Sequence, residues 1–213
     1  MSRSNPLLKC TIARAGGFFI ALAVALSGCA TTQSTYTPAH IEIQEQIGFT
    51  ITEEARISSG LRSDYEAALN HLEQGRHGEG IALLEAVADG APQLSAPRID
   101  LGIAYHRAGD LQAAETNLLL ALESNPEHPI AYNELGIVYR KAGRIAEARQ
   151  SYEAALAIYP GYHYARRNLA VLCDLYLADL SCALENYEAY MATVSSDDEA
   201  AMWITDIRSR LGQ

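Results

Sequence analysis

Apolar residues along Pro129–Tyr162 recur at helical spacing and then lapse, twice within one short stretch. Tyr132, Leu135, Gly136 and Tyr139 fall at i, i+3, i+4 and i+7, one stripe of an amphipathic helix. Ala142-Gly143-Arg144 interrupts it, because glycine takes the left-handed conformation that ends a helix. Ala148, Tyr152 and Ala155 then form a second stripe, and Pro160-Gly161 closes the unit. The pattern predicts two helices joined by a tight turn, with Gly136 and Ala148 allowing close approach and Tyr139 and Tyr152 filling the remaining space.

The unit repeats with a step of 34 residues. Ala68, Gly102 and Gly136 keep that step, as do Gly75, Gly109 and Gly143, and Pro92, Pro126 and Pro160. Three markers in one register signal a helical solenoid. Leu135-Gly136, Tyr139, Gly143, Ala148, Tyr152, Ala155 and Pro160 resemble the tetratricopeptide-repeat pattern. So do Leu101-Gly102, Tyr105, Gly109, Ala114, Leu118, Ala121 and Pro126. The resemblance implies an all-α, right-handed solenoid of about four helical hairpins. The expected divisions are a degenerate first repeat within 53–94, then 95–128, 129–162, an irregular 163–194 with one residue inserted at its turn, and a capping helix in 195–213. In the last of these, Ser196-Asp197-Asp198-Glu199 reads as a capping box, and Ala200, Trp203, Ile207 and Leu211 form one stripe. Thr52-Glu53-Glu54 reads as the start of a long first helix ending at Gly75, and Gly80 as a weak point of the second.

The beginning of the chain follows different rules. Arg3, Lys9 and Arg14 stand without an acidic residue before Phe18–Leu26, an apolar run too short for a stable membrane-crossing helix. Such a segment suits a secretory leader over residues 1–28. Leu26-Ser27-Gly28-Cys29 resembles the lipobox of bacterial lipoproteins, which implies cleavage before Cys29 and lipid on its sulfur. Several acyl chains on one cysteine give stable anchoring. Ala30 rather than aspartate after it implies the outer membrane, facing the periplasm. Residues 29–52 are expected to form a flexible tether, rich in Thr and Ser over 30–40. Within it, Ile41-Glu42-Ile43 is either a short strand or apolar residues laid along the bundle.

Charge excludes one class of partner. The chain has 16 basic and 26 acidic residues, and loss of Arg3, Lys9 and Arg14 with the leader leaves 13 against 26, a net charge of −13. Such a surface repels nucleic acid. No metal-binding, nucleophile-elbow or phosphate-loop motif is present, and no cofactor is expected. Cys173 and Cys182 remain as an even pair in an oxidising compartment, either bonded to each other or packed as two small apolar side chains.

The repeat family is a general binding scaffold, and the resemblance implies a concave groove lined from the first helix of each repeat. Here it comprises Tyr65 and Leu69; Ile99, Ile103, His106 and Arg107; Asn133, Ile137, Arg140 and Lys141; and Tyr164, Arg167 and Val171. Its middle is apolar, and Arg107, Arg140, Lys141 and Arg167 make one side basic, a contrast that selects an acidic, partly apolar protein segment. The expected function is a non-catalytic, membrane-anchored adaptor for a protein of the cell envelope. Similar lipoproteins serve pilus or secretin assembly, peptidoglycan enzymes or energy-transducing transport. The alternative is an envelope enzyme whose active site carries none of the familiar motifs.

Overall fold

The computed structural model describes residues 40–44, 48–53, 57–194 and 196–213. The leader expected over residues 1–28 and the lipidation expected at Cys29 lie outside them. The chain divides into two compact units, residues 1–54 and 55–213.

In the first unit, β1 (His40–Gln44) pairs antiparallel with β2 (Gly48–Thr52), placing Ile41 opposite Ile51 and Ile43 opposite Phe49. Of the two readings of Ile41–Ile43, the strand is therefore the one adopted. Thr52 ends that strand and does not cap a helix. The first helix starts at Ser59, where the Ser58 hydroxyl accepts from the Leu61 amide at 3.1 Å. Strand pairing has captured the backbone through Thr52, and a true serine cap lies six residues on.

The second unit comprises α1 (Ser59–Glu73), α2 (His77–Gly90), α3 (Ala96–Ala108), α4 (Leu111–Ser124), α5 (Pro129–Lys141), α6 (Ile145–Ile158), α7 (His163–Leu175), α8 (Leu180–Thr193) and α9 (Asp198–Leu211). They form four hairpins, α1–α2 through α7–α8, with α9 packed on α8. The odd-numbered helices α3, α5 and α7 also touch in sequence, which makes them the inner row.

The core alternates small and large residues across each hairpin. A Cβ on Gly136 would run into the Tyr152 ring, which is fully buried. The first repeat keeps this arrangement with Ala68 and Leu84, and adds a small residue on its second helix. A Cβ on Gly80 would stand 2.6 Å from Leu72 Cγ, so the glycine expected to weaken α2 is what lets Leu72 of α1 pack against it. Ala183, Tyr187 and Tyr190 are buried on α8.

The first three turns use left-handed glycines, Gly75, Gly109 and Gly143. The fourth has none. It places Ala178 at φ 52° and is closed by a Cys173–Cys182 disulfide, S–S 2.04 Å. Leu175, Tyr176 and Leu177 are exposed there. Asp197, not Ser196, caps α9: its carboxylate accepts from the Ala200 amide at 3.0 Å and from the Tyr190 hydroxyl at 2.7 Å.

Candidate functional site

The inner row brings together some of the groove residues expected from the sequence and diverts others. Leu69, Ile103, Ile137 and Val171 lie half-buried on α1, α3, α5 and α7, one repeat apart. They form an apolar line along the face.

The residues four positions earlier belong to the joints between repeats. Ile99 is 5% exposed and Asn133 2%, so neither offers surface to a partner. Asn133 accepts from Asn168 of α7 at 2.9 Å and donates to Glu134 at 3.1 Å. The Tyr65 hydroxyl donates to Asp100 of α3 at 2.5 Å. At Tyr65 and Asn133 the side chain is turned sideways to the next helix.

Those joints contain three residues that the groove pattern omits. Asp100, Glu134 and Asn168 keep the 34-residue step, and this shared register was the available signal. Burial pushes the Asp100 carboxyl up to about 6, against the opposing pull of the Tyr65 hydrogen bond and the Arg107 charge. Burial also raises Glu134, which Asn133 and Arg107 partly offset.

The basic side of the groove divides in two. Arg107 and Lys141 are exposed, at equivalent places on α3 and α5, with no ion pair among the described residues. Arg140 is half-buried beside them. Its guanidinium lies 5.8 Å from the Tyr176 ring centroid, and its Nε is buried without a hydrogen-bond partner. His106 is half-buried, and its Nε2 is likewise unpartnered. Burial and the charges of Lys141, Arg107 and Arg140 hold its imidazole below the ordinary histidine range, so it is neutral at pH 7.

Arg167, by contrast, is engaged. Its Nη2 stands 3.4 Å from Glu199 of α9, and its guanidinium sits 5.2 Å from the Trp203 ring centroid. Tyr164 is 52% exposed and stacks obliquely on His163 at 4.1 Å. Of the four basic residues expected along the groove, Arg107 and Lys141 are therefore open, Arg140 is half-buried against Tyr152 and Tyr176, and Arg167 is engaged. Among the described residues, no group of His, Cys, Asp and Glu side chains is arranged to hold a metal ion, and no helix is long and apolar enough to cross a membrane.

Residues 65–118 and 99–163 match the family model described as tetratricopeptide repeat. No match was found among curated protein sequences. Several solved structures share the architecture. The chain is similar to MamA 41-end from Desulfovibrio magneticus RS-1, with 20% identity over 74% of this chain and 88% of that one, TM-score 0.64. It is similar to Pseudomonas aeruginosa pilF, with 18% identity over 70% and 68%, TM-score 0.64. It is also similar to the first repeat domain of Spaghetti (RPAP3), solved bound to the HSP90 peptide SRMEEVD, with 23% identity over 59% and 99%, TM-score 0.54. At these identities the likenesses speak for the fold alone. The 34-residue register, the glycine-terminated hairpins and the matched family model make an all-α array of helical hairpins over residues 65–163, consistent with tetratricopeptide repeats.

Proposed function

We propose that the chain is a non-catalytic scaffold, lipid-anchored at Cys29 to the bacterial outer membrane on its periplasmic side, that holds an acidic, partly apolar segment of an envelope protein against α3 and α5. The observation that carries this reading is the set of unpaired cations Arg107, Arg140 and Lys141 beside the apolar line Ile103–Ile137, in a chain with ten more acidic than basic residues. Most other described arginines are matched to a carboxylate of the chain itself, as Arg76, Arg98, Arg144, Arg149, Arg208 and Arg210 are. Cations left over in one place supply attraction and orientation for an acidic partner, and the aliphatic line supplies contact area. The anchor rests on the leader and on Leu26–Cys29, and it keeps the bound partner near the membrane. Assembly of an envelope complex, whether of the pilus–secretin, peptidoglycan or energy-transducing kind, suits such a device.

Two measurements test this. A fluorescein-labelled peptide of leucine and glutamate at helical spacing is titrated with the chain. The Arg107→Glu/Lys141→Glu variant is expected to bind about tenfold more weakly, since each exposed pair is worth about 1 kcal/mol or less and reversal turns attraction into repulsion. Equal binding by the folded variant overturns the groove. Separately, Cys29→Ala is expected to leave an unprocessed, lipid-free precursor; a variant that is cleaved and fractionates like the parent overturns the anchor.

A further inference from the structure

The outer surface of the same two repeats holds a second cleft. Its volume is about 640 Å³, and it opens between α4 and α6 with α5 as its floor. Its lining includes Leu119, Leu122 and Glu123 from α4, Tyr132 from α5 and Ser151 from α6.

Comparison along the register shows why a cleft exists here. In the second repeat the residue on the floor is Arg98. Its guanidinium bridges the outer helices, donating to Asp89 of α2 at 3.3 Å and to Asn117 of α4 at 3.1 Å. In the fourth repeat it is Arg166, which donates to Asn186 of α8 at 3.1 Å and to the Pro160 carbonyl at 3.3 Å. In the third repeat the arginine is replaced by Tyr132 and the asparagine by Ser151. The bridge is missing, and Tyr132 makes no side-chain hydrogen bond among the described residues.

Two further positions depart from their counterparts at the same place. Leu119, 43% exposed, occupies the register position that is Glu85, Glu153 and Glu188 in the other repeats. Glu85 and Glu188 there accept from Tyr105 and Arg208 of the following helix. Glu123 is the counterpart of Asp89, one repeat on, so the arginine that would pair with it is the one replaced by Tyr132. Glu123 is exposed and has no ion pair among the described residues.

We propose that this cleft is a second docking site, which takes a helical segment of a protein partner presenting leucine-like side chains to Leu119 and Tyr132 and a lysine or arginine to Glu123. The partner restores from outside the cation that Arg98 supplies to Asp89 inside the neighbouring repeat. No basic side chain lines the cleft, and its two lining carboxylates are Glu123 and Glu147, the latter already held by Arg144. Charge therefore favours a cationic segment, and the exposed leucine favours an amphipathic one. The inner groove has the opposite preference, so one pair of repeats can hold an acidic segment on one face and a basic segment on the other. The outer site is independent of the inner reading, because it shares none of its residues.

The test uses the full chain in mild detergent and a fluorescein-labelled peptide of leucine and lysine at helical spacing, read by anisotropy. Leu119→Glu installs the residue that the other repeats tolerate, so folding is preserved; it is expected to weaken binding about tenfold. That sign separates a site from diffuse attraction to an acidic protein, since an added carboxylate leaves diffuse attraction equal or stronger. Glu123→Gln is expected to weaken binding less, and Arg107→Glu/Lys141→Glu not at all. Absence of saturable binding of the leucine–lysine peptide to the wild type overturns the proposal, and so does unchanged binding by Leu119→Glu. A peptide-free dimer that Leu119→Glu dissociates also overturns it, assigning the cleft to a second copy of the chain.

Discussion

The third and fourth repeats are built to one plan and differ in how they are fastened. In the third, Gly143 takes the left-handed turn at φ 76°, His128 caps α5 by accepting from the Ala131 amide, and its groove cations Arg140 and Lys141 have no carboxylate partner. In the fourth, no glycine serves the turn, α7 starts without a side-chain cap, a disulfide joins the two helices, and Arg167 is held by Glu199 and Trp203. The third repeat relies on backbone conformation and leaves its charges available. The fourth relies on covalent and ionic ties and uses its charge to hold the cap. A register position therefore supplies a residue to the groove only where the next element along the stack does not claim it.

The largest effect that sharpens this contrast is acid. Burial lowers His128 to about 4, so its neutral ring accepts the Ala131 amide. An unfolded chain protonates that ring at its ordinary value near 6.5, before the folded one does. Stability present above pH 6.5 is therefore lost as pH falls toward 4, by roughly 3 kcal/mol in all. His128→Asn keeps a capping oxygen and cannot titrate. Chemical denaturation from pH 7 to pH 4 is expected to show a smaller loss for the variant than for the parent. Buried Asp100, raised to about 6, acts in the opposite direction between pH 6 and 4 in both proteins, so the difference between them isolates the histidine.

The disulfide comes next. Cys173→Ala/Cys182→Ala opens a closed loop with a sequence separation of nine and is expected to cost about 2–3 kcal/mol by loop entropy. Hydrogen exchange should rise over α7 and α8 and hardly change over α3 and α5. Uniform loosening would mean that the repeats do not differ in their fastening. Ala178→Gly relieves a left-handed alanine and is expected to stabilise the chain by up to about 1 kcal/mol, visible as a raised Tm. The smallest effect is that of Arg167→Glu. It removes an exposed pair worth about 1 kcal/mol or less and should fray α9 while leaving acidic-peptide binding nearly unchanged.

The hairpins were legible because small residues at Ala68, Gly102 and Gly136 and glycines at Gly75, Gly109 and Gly143 impose close approach and left-handed turns wherever they occur. Groove membership was less so. Ile99 and Asn133 hold groove positions in the pattern, yet both are buried in the joint with the next repeat. What closes over them depends on a helix 34 residues later, which local periodicity does not report. Arg167 was misread as open for the same reason: Glu199 lies 32 residues on, outside the repeat register. The strand pair His40–Thr52 was ambiguous because a three-residue alternation fits either a strand or a packed strip. The outer cleft was present in the register all along, in Leu119 and Tyr132, but it becomes visible only when each is compared with what its counterparts do.

In the proposed function, acidic segments lie against α3 and α5 and not against the end of the stack. Hydrogen exchange of the full chain with and without the leucine–glutamate peptide tests it directly. Added protection is expected over the C-terminal turns of α3 and α5, around Arg107 and Lys141, and is lost in the Arg107→Glu/Lys141→Glu variant. Protection centred instead on α7–α9, or unchanged by that variant, would contradict it.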